Sequence, residues 1–287
     1  FDKTKQLLGI EFGSADTVIL DMKGSDGQFF KASAIFDLKV SEFFVVNGLF
    51  SLEMSTKSVA LSGGGTVTTD MFAFGAGNLN AFVGVDDIGL ELTDVDFQLA
   101  LFREKNANGT TIPNARTWMA LKASAEHAAF VGLEDIIQIT GDNLMVAINI
   151  ASTDSKAIDF VVTQTNLGLT IGSADTMILD MRTAGVSARG HVSISAFDFL
   201  SAEATLVFEK SQQSVTLTKD GDDADTNPDT VIVDALTIGA VDINAFVGAN
   251  GDSATDRVGF EINNVDLALI AMTEHLGDAS VAAGILP

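Results

Sequence analysis

Apolar and polar residues alternate along most of this chain with a period of two, the signature of a β-strand whose successive side chains point to opposite faces. The clearest run is Leu90 and Leu92 followed by Val95, Phe97, Leu99 and Leu101. Its register slips by one residue at Thr93-Asp94, which predicts a β-bulge or a tight turn. Two other runs slip in the same way. Phe260 and Ile262 give way to Val265, Leu267 and Leu269, and Ile137 and Ile139 give way, across Thr140–Asn143, to Leu144, Val146 and Ile148. Three breaks of one kind point to a shared backbone feature.

The rest of the pattern is less regular but of the same class. Thr17–Met22 alternates loosely and ends in the turn-forming Ser25-Asp26-Gly27. Apolar residues are dense from Ala32 to Leu52, and Phe43–Val46 is apolar on both pleat faces, as in a strand buried on both sides. Asn47-Gly48 and Phe74-Gly75-Ala76-Gly77 read as turns. The best helical candidate, Arg116–Phe130, reads equally well as a strand. Taken together the pattern predicts an all-β protein with Gly, Asp and Asn turns. Its expected build is an elongated repeat architecture, β-solenoid-like or a continuous extended sheet; two tandem β-sandwiches are the alternative.

The repeat supports the elongated build. Gly13–Met22 (GSADTVILDM) returns 159 residues later as Gly172–Met181 (GSADTMILDM), differing at one position. Gly48–Leu61 matches Ala204–Leu217, Asn80–Gly84 (NAFVG) returns at Asn244–Gly248, and Ile88–Phe102 returns as Val258–Met272. Residues 1–159 therefore form a first β repeat unit, and 160–287 a second, incomplete one. The start at Phe1 on the repeat seam leads us to expect a segment of a longer array. A shorter echo, AFVG at Ala81–Gly84 and again at Ala129–Gly132, reads as an apolar corner whose glycine permits a bend.

Composition narrows the function classes. A hydrophobic content of 47% is ample for a core, so the charge does not signal disorder. The net charge of −23 disfavours nucleic acid, which requires basic surface. With no cysteine, the chain has no disulfides, thiolate chemistry or Cys-ligated metal. No apolar run is long enough for a transmembrane helix.

Catalytic signals are absent from the sequence. His127, His191 and His275 are far apart and have no metal-ligand spacing. No nucleophile elbow, phosphate loop or dinucleotide fingerprint occurs. With 39 acidic residues, paired carboxylates carry no signal of glycoside hydrolysis. Calcium is the one ion brought forward. Asp223, Asp225, Asn227, Asp229 and Asp234 occupy positions 1, 3, 5, 7 and 12 of a calcium-loop spacing. Against it, Pro228 sits where glycine is needed, position 12 is Asp rather than Glu, and the flanks read as strands. The same residues also read as a solvated acidic hairpin loop.

The succession of motifs quoted above, with Trp118–Ala125 (WMALKASA) closing the first unit, resembles the long tandem repeats of very large bacterial secreted or cell-surface, adhesin-like proteins. The resemblance covers nearly the whole chain and implies location and build, not a reaction. The expected function is a non-enzymatic structural segment, a stalk, fibre or coat, outside or on a bacterial cell. Expected partners are other repeats, further copies in fibres, or cell-surface and host-matrix ligands. The alternative is a module that binds calcium or an apolar ligand.

Overall fold

Residues 8–12, 16–20, 29–40, 44–106, 108, 110, 112–163, 169–170, 176–197, 199–216, 230–251 and 255–274 are described by a computed structural model. Two short hairpins pair Leu8–Phe12 (β1) with Asp16–Leu20 (β2), and Leu169–Thr170 (β9) with Thr176–Met177 (β10). Everything else of strand type joins one antiparallel sheet of ten strands. Its first six are Phe29–Val40 (β3), Phe44–Ala60 (β4), Thr66–Val85 (β5), Ile88–Glu104 (β6), Thr117–Val131 (β7) and Ile137–Ile150 (β8). Four more follow: Gly185–Ala196 (β11), Leu200–Thr216 (β12), Thr230–Ala249 (β13) and Val258–Glu274 (β14).

Each strand in the sheet neighbours the next one in sequence, so the sheet is an open meander with β3 and β14 at its edges. Antiparallel neighbours need only short turns, which the alternating runs separated by Gly, Asp and Asn supply. The first repeat contributes six strands and the second four. They join where β8 pairs with β11, from Gly185 opposite Asn149 to Ala196 opposite Ile137. At roughly 3.4 Å per residue, the longer strands span about 60 Å.

The register breaks read from sequence are real and form one line across the sheet. Asn78, Asp94, Asn143, Asp242 and Asn264 all have φ between 50° and 54°, in the left-handed region that Asn and Asp tolerate better than other non-glycine residues. An apolar residue follows each: Leu79, Val95, Leu144, Ile243 and Val265. The line passes from Leu79 to Val95, Ala125 and Leu144 through direct cross-strand pairs. It continues past Gly190, where a Cβ would stand 2.4 Å from Leu144, to Ile243 and Val265.

Directly paired residues share a face of the sheet, and the pairing sorts the chain into two unlike faces. One face carries Phe30, Ala32, Ala34, Phe36 and Leu38 on β3, and Leu90, Leu92, Phe97, Leu99 and Leu101 on β6. The same face has Ile139, Val146, Ile148 and Ile150 on β8, and Val258, Phe260, Ile262, Leu267 and Leu269 on β14. Among the described strand residues away from the breaks, its only charged side chains are Asp70, Arg103, Lys210 and Asp234. The opposite face carries Lys31, Glu53, Glu91, Lys122, Asp142, Arg189, Glu203 and Glu261, among others.

The core lies on this polar face, at one end, under the connection between the repeats. Val59, Met71, Phe102 and Trp118 from β4 to β7 pack against Ile158, Phe160 and Leu179. Phe160 belongs to a single helical turn, Phe160–Thr163 (α1). Backbone bonds strap the connection down: Ser62 N–H to the Ala157 carbonyl, Asp159 N–H to Ala60, and Phe160 N–H to Met181. The Trp118 indole N–H donates to the Lys156 carbonyl at 2.8 Å, and Asn149 Nδ2 donates to the carbonyls of Ile158 and Thr183. The apolar face has no such cover within the described chain. Phe30 is 57% exposed and Phe260 73%.

Several expectations need correction. Of the two readings of Arg116–Phe130 the strand holds: Thr117–Val131 is β7, with its apolar residues Met119, Leu121 and Ala123 spaced by two. Asn47-Gly48 is no turn; it sits inside β4 at a register break. Phe74-Gly75-Ala76-Gly77 also lies within a strand, β5. AFVG is a corner only at Gly132, where φ is 89°. At Gly84 and Gly248 it lies inside β5 and β13, and the glycine faces a second glycine, Gly89 or Gly259, on the next strand. A Cβ on Gly84 would stand 2.3 Å from the Ile88 carbonyl and 2.5 Å from the Phe82 ring; on Gly248, 2.2 Å from Val258 and 2.7 Å from Phe246. The motif therefore covers a glycine pair with its own phenylalanine.

Candidate functional site

Of the calcium-loop residues, Asp223, Asp225, Asn227 and Asp229 lie outside the described residues. Asp234 is a half-buried residue of β13, paired with Gln212 and Thr273. No group of three or more His, Asp or Glu side chains able to hold a metal occurs among the described residues. His275 falls outside them. The other two histidines are on the polar face. His127 Nδ1 is 2.6 Å from Asp142 Oδ1 on β8, and His191 lies 3.9 Å from Glu203 on β12. His191 Nδ1 is 3.4 Å from Thr205 Oγ1, and its Nε2 is 3.9 Å from Glu203 Oε2, beyond hydrogen-bond distance for an orienting carboxylate.

The register-break line is a polar seam, built by side chains that cap irregular backbone. The Asn78 N–H donates to Asp96 Oδ1 at 2.8 Å, and the Asp94 N–H faces Asn80 Oδ1 at 3.4 Å. In the second repeat Asp242 N–H donates to Asp266 and Asn264 N–H to Asn244. A cavity of about 720 Å³ opens along this seam, with Asp94, Asp96, Glu126, Arg189 and His191 in its wall. Its charges are of both signs, so it does not select a ligand sign.

The apolar face holds a second, open cavity, of about 550 Å³. Met54, Phe72, Leu101, Met119 and Ile150 line it, one from each strand β4 to β8. They are brought together because Met54 pairs with Phe72, Phe72 with Leu101, Leu101 with Met119 and Met119 with Ile150. Polar residues stand at one side: Asp70, Arg103, Thr117 and Thr153. Asp70 is already satisfied. Lys105 Nζ lies 2.6 Å from its carboxylate and Thr56 Oγ1 donates to it, and the Lys105 contact holds its pKa below the ordinary value. Arg103, paired with Asp70 across the strands, acts on it only through space.

Behind the cavity, an ion cluster fixes the connection to the sheet. Arg116 bridges Glu104 on β6 and Asp154 in the connection, at 2.7 and 2.6 Å. The hydrogen bond from Arg116 holds the Glu104 carboxyl below its usual value. At Asp154 burial is the largest single effect and pushes the carboxyl up, but the Arg116 hydrogen bond, the backbone N–H donors of Lys156 and Asp154 and the Arg116 charge together outweigh it and hold the carboxyl below its ordinary value. Ser152, beside the cavity, has a buried Oγ with no hydrogen-bond partner.

Sequence reading missed this cavity. Its signal was present as strand parity: Met54, Phe72, Leu101, Met119 and Ile150 become neighbours only once the pairing of five strands is known. Chemically the site can hold an alkyl or aromatic group and a polar end. No family model matches the chain, and no curated protein or solved structure matches it either.

Proposed function

We propose that this chain is a non-enzymatic structural segment of an extended β-sheet array, a stalk, fibre or coat built from tandem repeats. The observation that carries the reading is the pairing of β8 with β11, which makes two repeats one sheet. Among the described strands, a repeat joined in this way leaves a backbone edge at each side, β3 and β14, to which another repeat or another copy can add strands. An acidic polar face keeps such an array soluble and limits side-by-side clumping through charge repulsion. Placement outside a bacterial cell, and surface or matrix ligands as partners, rest on the sequence resemblance alone.

Electron microscopy of the purified segment, with and without millimolar calcium, tests the reading. Rods or filaments of constant width are expected. Dispersed compact particles under both conditions would overturn it. Assembly that requires calcium would assign the Asp223–Asp234 loop a binding role.

A further inference from the structure

We propose that the cavity on the apolar face is a binding site for a single-chain amphiphile with an anionic head, of the long-chain carboxylate class. The inference goes beyond the array reading and does not depend on it. Three observations converge. The cavity volume falls in the range of small-molecule sites, roughly 300–1,000 Å³. Five apolar side chains from five consecutive strands lie along it, and among the described residues nothing covers Leu101, 40% exposed, or Met54, 51% exposed. At its polar side stands Arg103, the one cation among the described residues of the wall, while the neighbouring carboxylate of Asp70 is occupied by Lys105.

This arrangement has a direction. An alkyl chain laid across Met54, Phe72, Leu101, Met119 and Ile150 would bring its head group to Arg103, whose guanidinium matches a carboxylate in a bidentate fork. Thr117, paired with Arg103 on β7, adds a hydroxyl on the same side. A lipid bilayer is a poorer occupant. The net charge of −23 repels an anionic membrane surface, whereas one amphiphile meets only the local cation. The continuing apolar face on either side leaves room for a chain longer than the cavity itself.

The probe is 11-(dansylamino)undecanoic acid, followed by energy transfer from Trp118, the only tryptophan, which sits next to the cavity residue Met119. The full chain is expected to bind the probe saturably, with palmitate displacing it. Leu101→Lys should abolish binding. Arg103→Gln should weaken the carboxylate probe about tenfold, as loss of a charged hydrogen bond does, and leave the matching fatty alcohol unchanged in competition. Far-UV circular dichroism and Trp118 emission verify that both variants fold. Equal binding by wild type and Leu101→Lys, or equal loss of acid and alcohol in Arg103→Gln, would overturn the assignment. Absence of probe binding in a dimer that Leu101→Lys dissociates would show that a second copy covers the face, and would also overturn it.

Discussion

The backbone N–H of Asn78 donates to the carboxylate of Asp96, 2.8 Å away on the neighbouring strand, where both strands slip register. In the second repeat Asp242 and Asp266 reproduce the contact at 3.1 Å. A left-handed residue in a strand leaves an amide out of the ladder, and a carboxylate on the next strand satisfies it. The repeat thus encodes a defined irregularity, and the irregularity fixes which residues reach the apolar face on either side of it.

Residue chemistry at that position is therefore testable. Asn78→Gly should change stability by a few tenths of a kcal/mol, since glycine adopts φ near 53° without strain. Asn78→Val should cost about 1–2 kcal/mol, because a β-branched residue is forced into the left-handed region. Urea unfolding of the two variants measures the difference. Equal stabilities would show that the backbone relaxes out of that conformation.

The glycine pairs make a second prediction. Gly84→Ala should destabilise by about 1–3 kcal/mol through overpacking against the Ile88 carbonyl and the Phe82 ring. Gly248→Ala should do the same in the second repeat. Gly64, with nothing within 4 Å of an added Cβ but φ at 96°, separates backbone strain from contact. A Gly64→Ala cost as large as that of Gly84→Ala would assign the effect to strain or chain entropy rather than close approach.

Docking of the connection should depend on pH through Arg116. Glu104 and Asp154 have folded pKa values below their ordinary 4.5 and 3.8. Carboxyls with depressed folded values contribute stability above those ordinary values and lose it as pH falls through the folded ones. Thermal unfolding of wild type should weaken below about pH 4.5, and Arg116→Ala should flatten that dependence while lowering the midpoint at pH 7. Parallel curves for the two proteins would remove the cluster from the account. Trp118, 3% exposed beneath the connection, gives a local reading: its emission should move to the red in Arg116→Ala if the strap loosens.

The open face predicts tolerance. Val258 and Phe260, 72% and 73% exposed on β14, should accept Lys and Glu within about 0.5 kcal/mol, as surface positions do. The double variant should also bind less of the hydrophobic dye ANS than wild type. A large loss of stability would mean that these side chains are buried by something in solution.

How much of this was legible in the sequence follows from what one strand reveals about its neighbours. The breaks at Asp94, Asn143 and Asn264 were readable because each shifts an alternation within its own strand. The repeat likewise showed itself by identity of residues. Glycines misled where their partner was distant: Gly48 reads as a turn until Leu79, on β5, is seen to fill the space above it. Arg116–Phe130 stayed ambiguous because alanines at 120, 123, 125, 128 and 129 suit a helix and are also what a crowded sheet face accepts. The cavity at Leu101 and Arg103 depends on the register of five strands, which no local pattern contains.

The sheet passing unbroken from one repeat to the next is the central claim, and a chain without cysteine allows it to be tested directly. Ala188→Cys with Val146→Cys places two thiols on paired positions of β11 and β8, and Ser187→Cys with Ala147→Cys places them one step along. Paired Cα atoms in a sheet lie about 4.5–5.5 Å apart, within disulfide reach. Mild oxidation should cross-link at least one pair as readily as Ala123→Cys with Val146→Cys, the equivalent pair inside the first repeat. Cross-linking of the control alone would contradict the account and make the two repeats separate bodies.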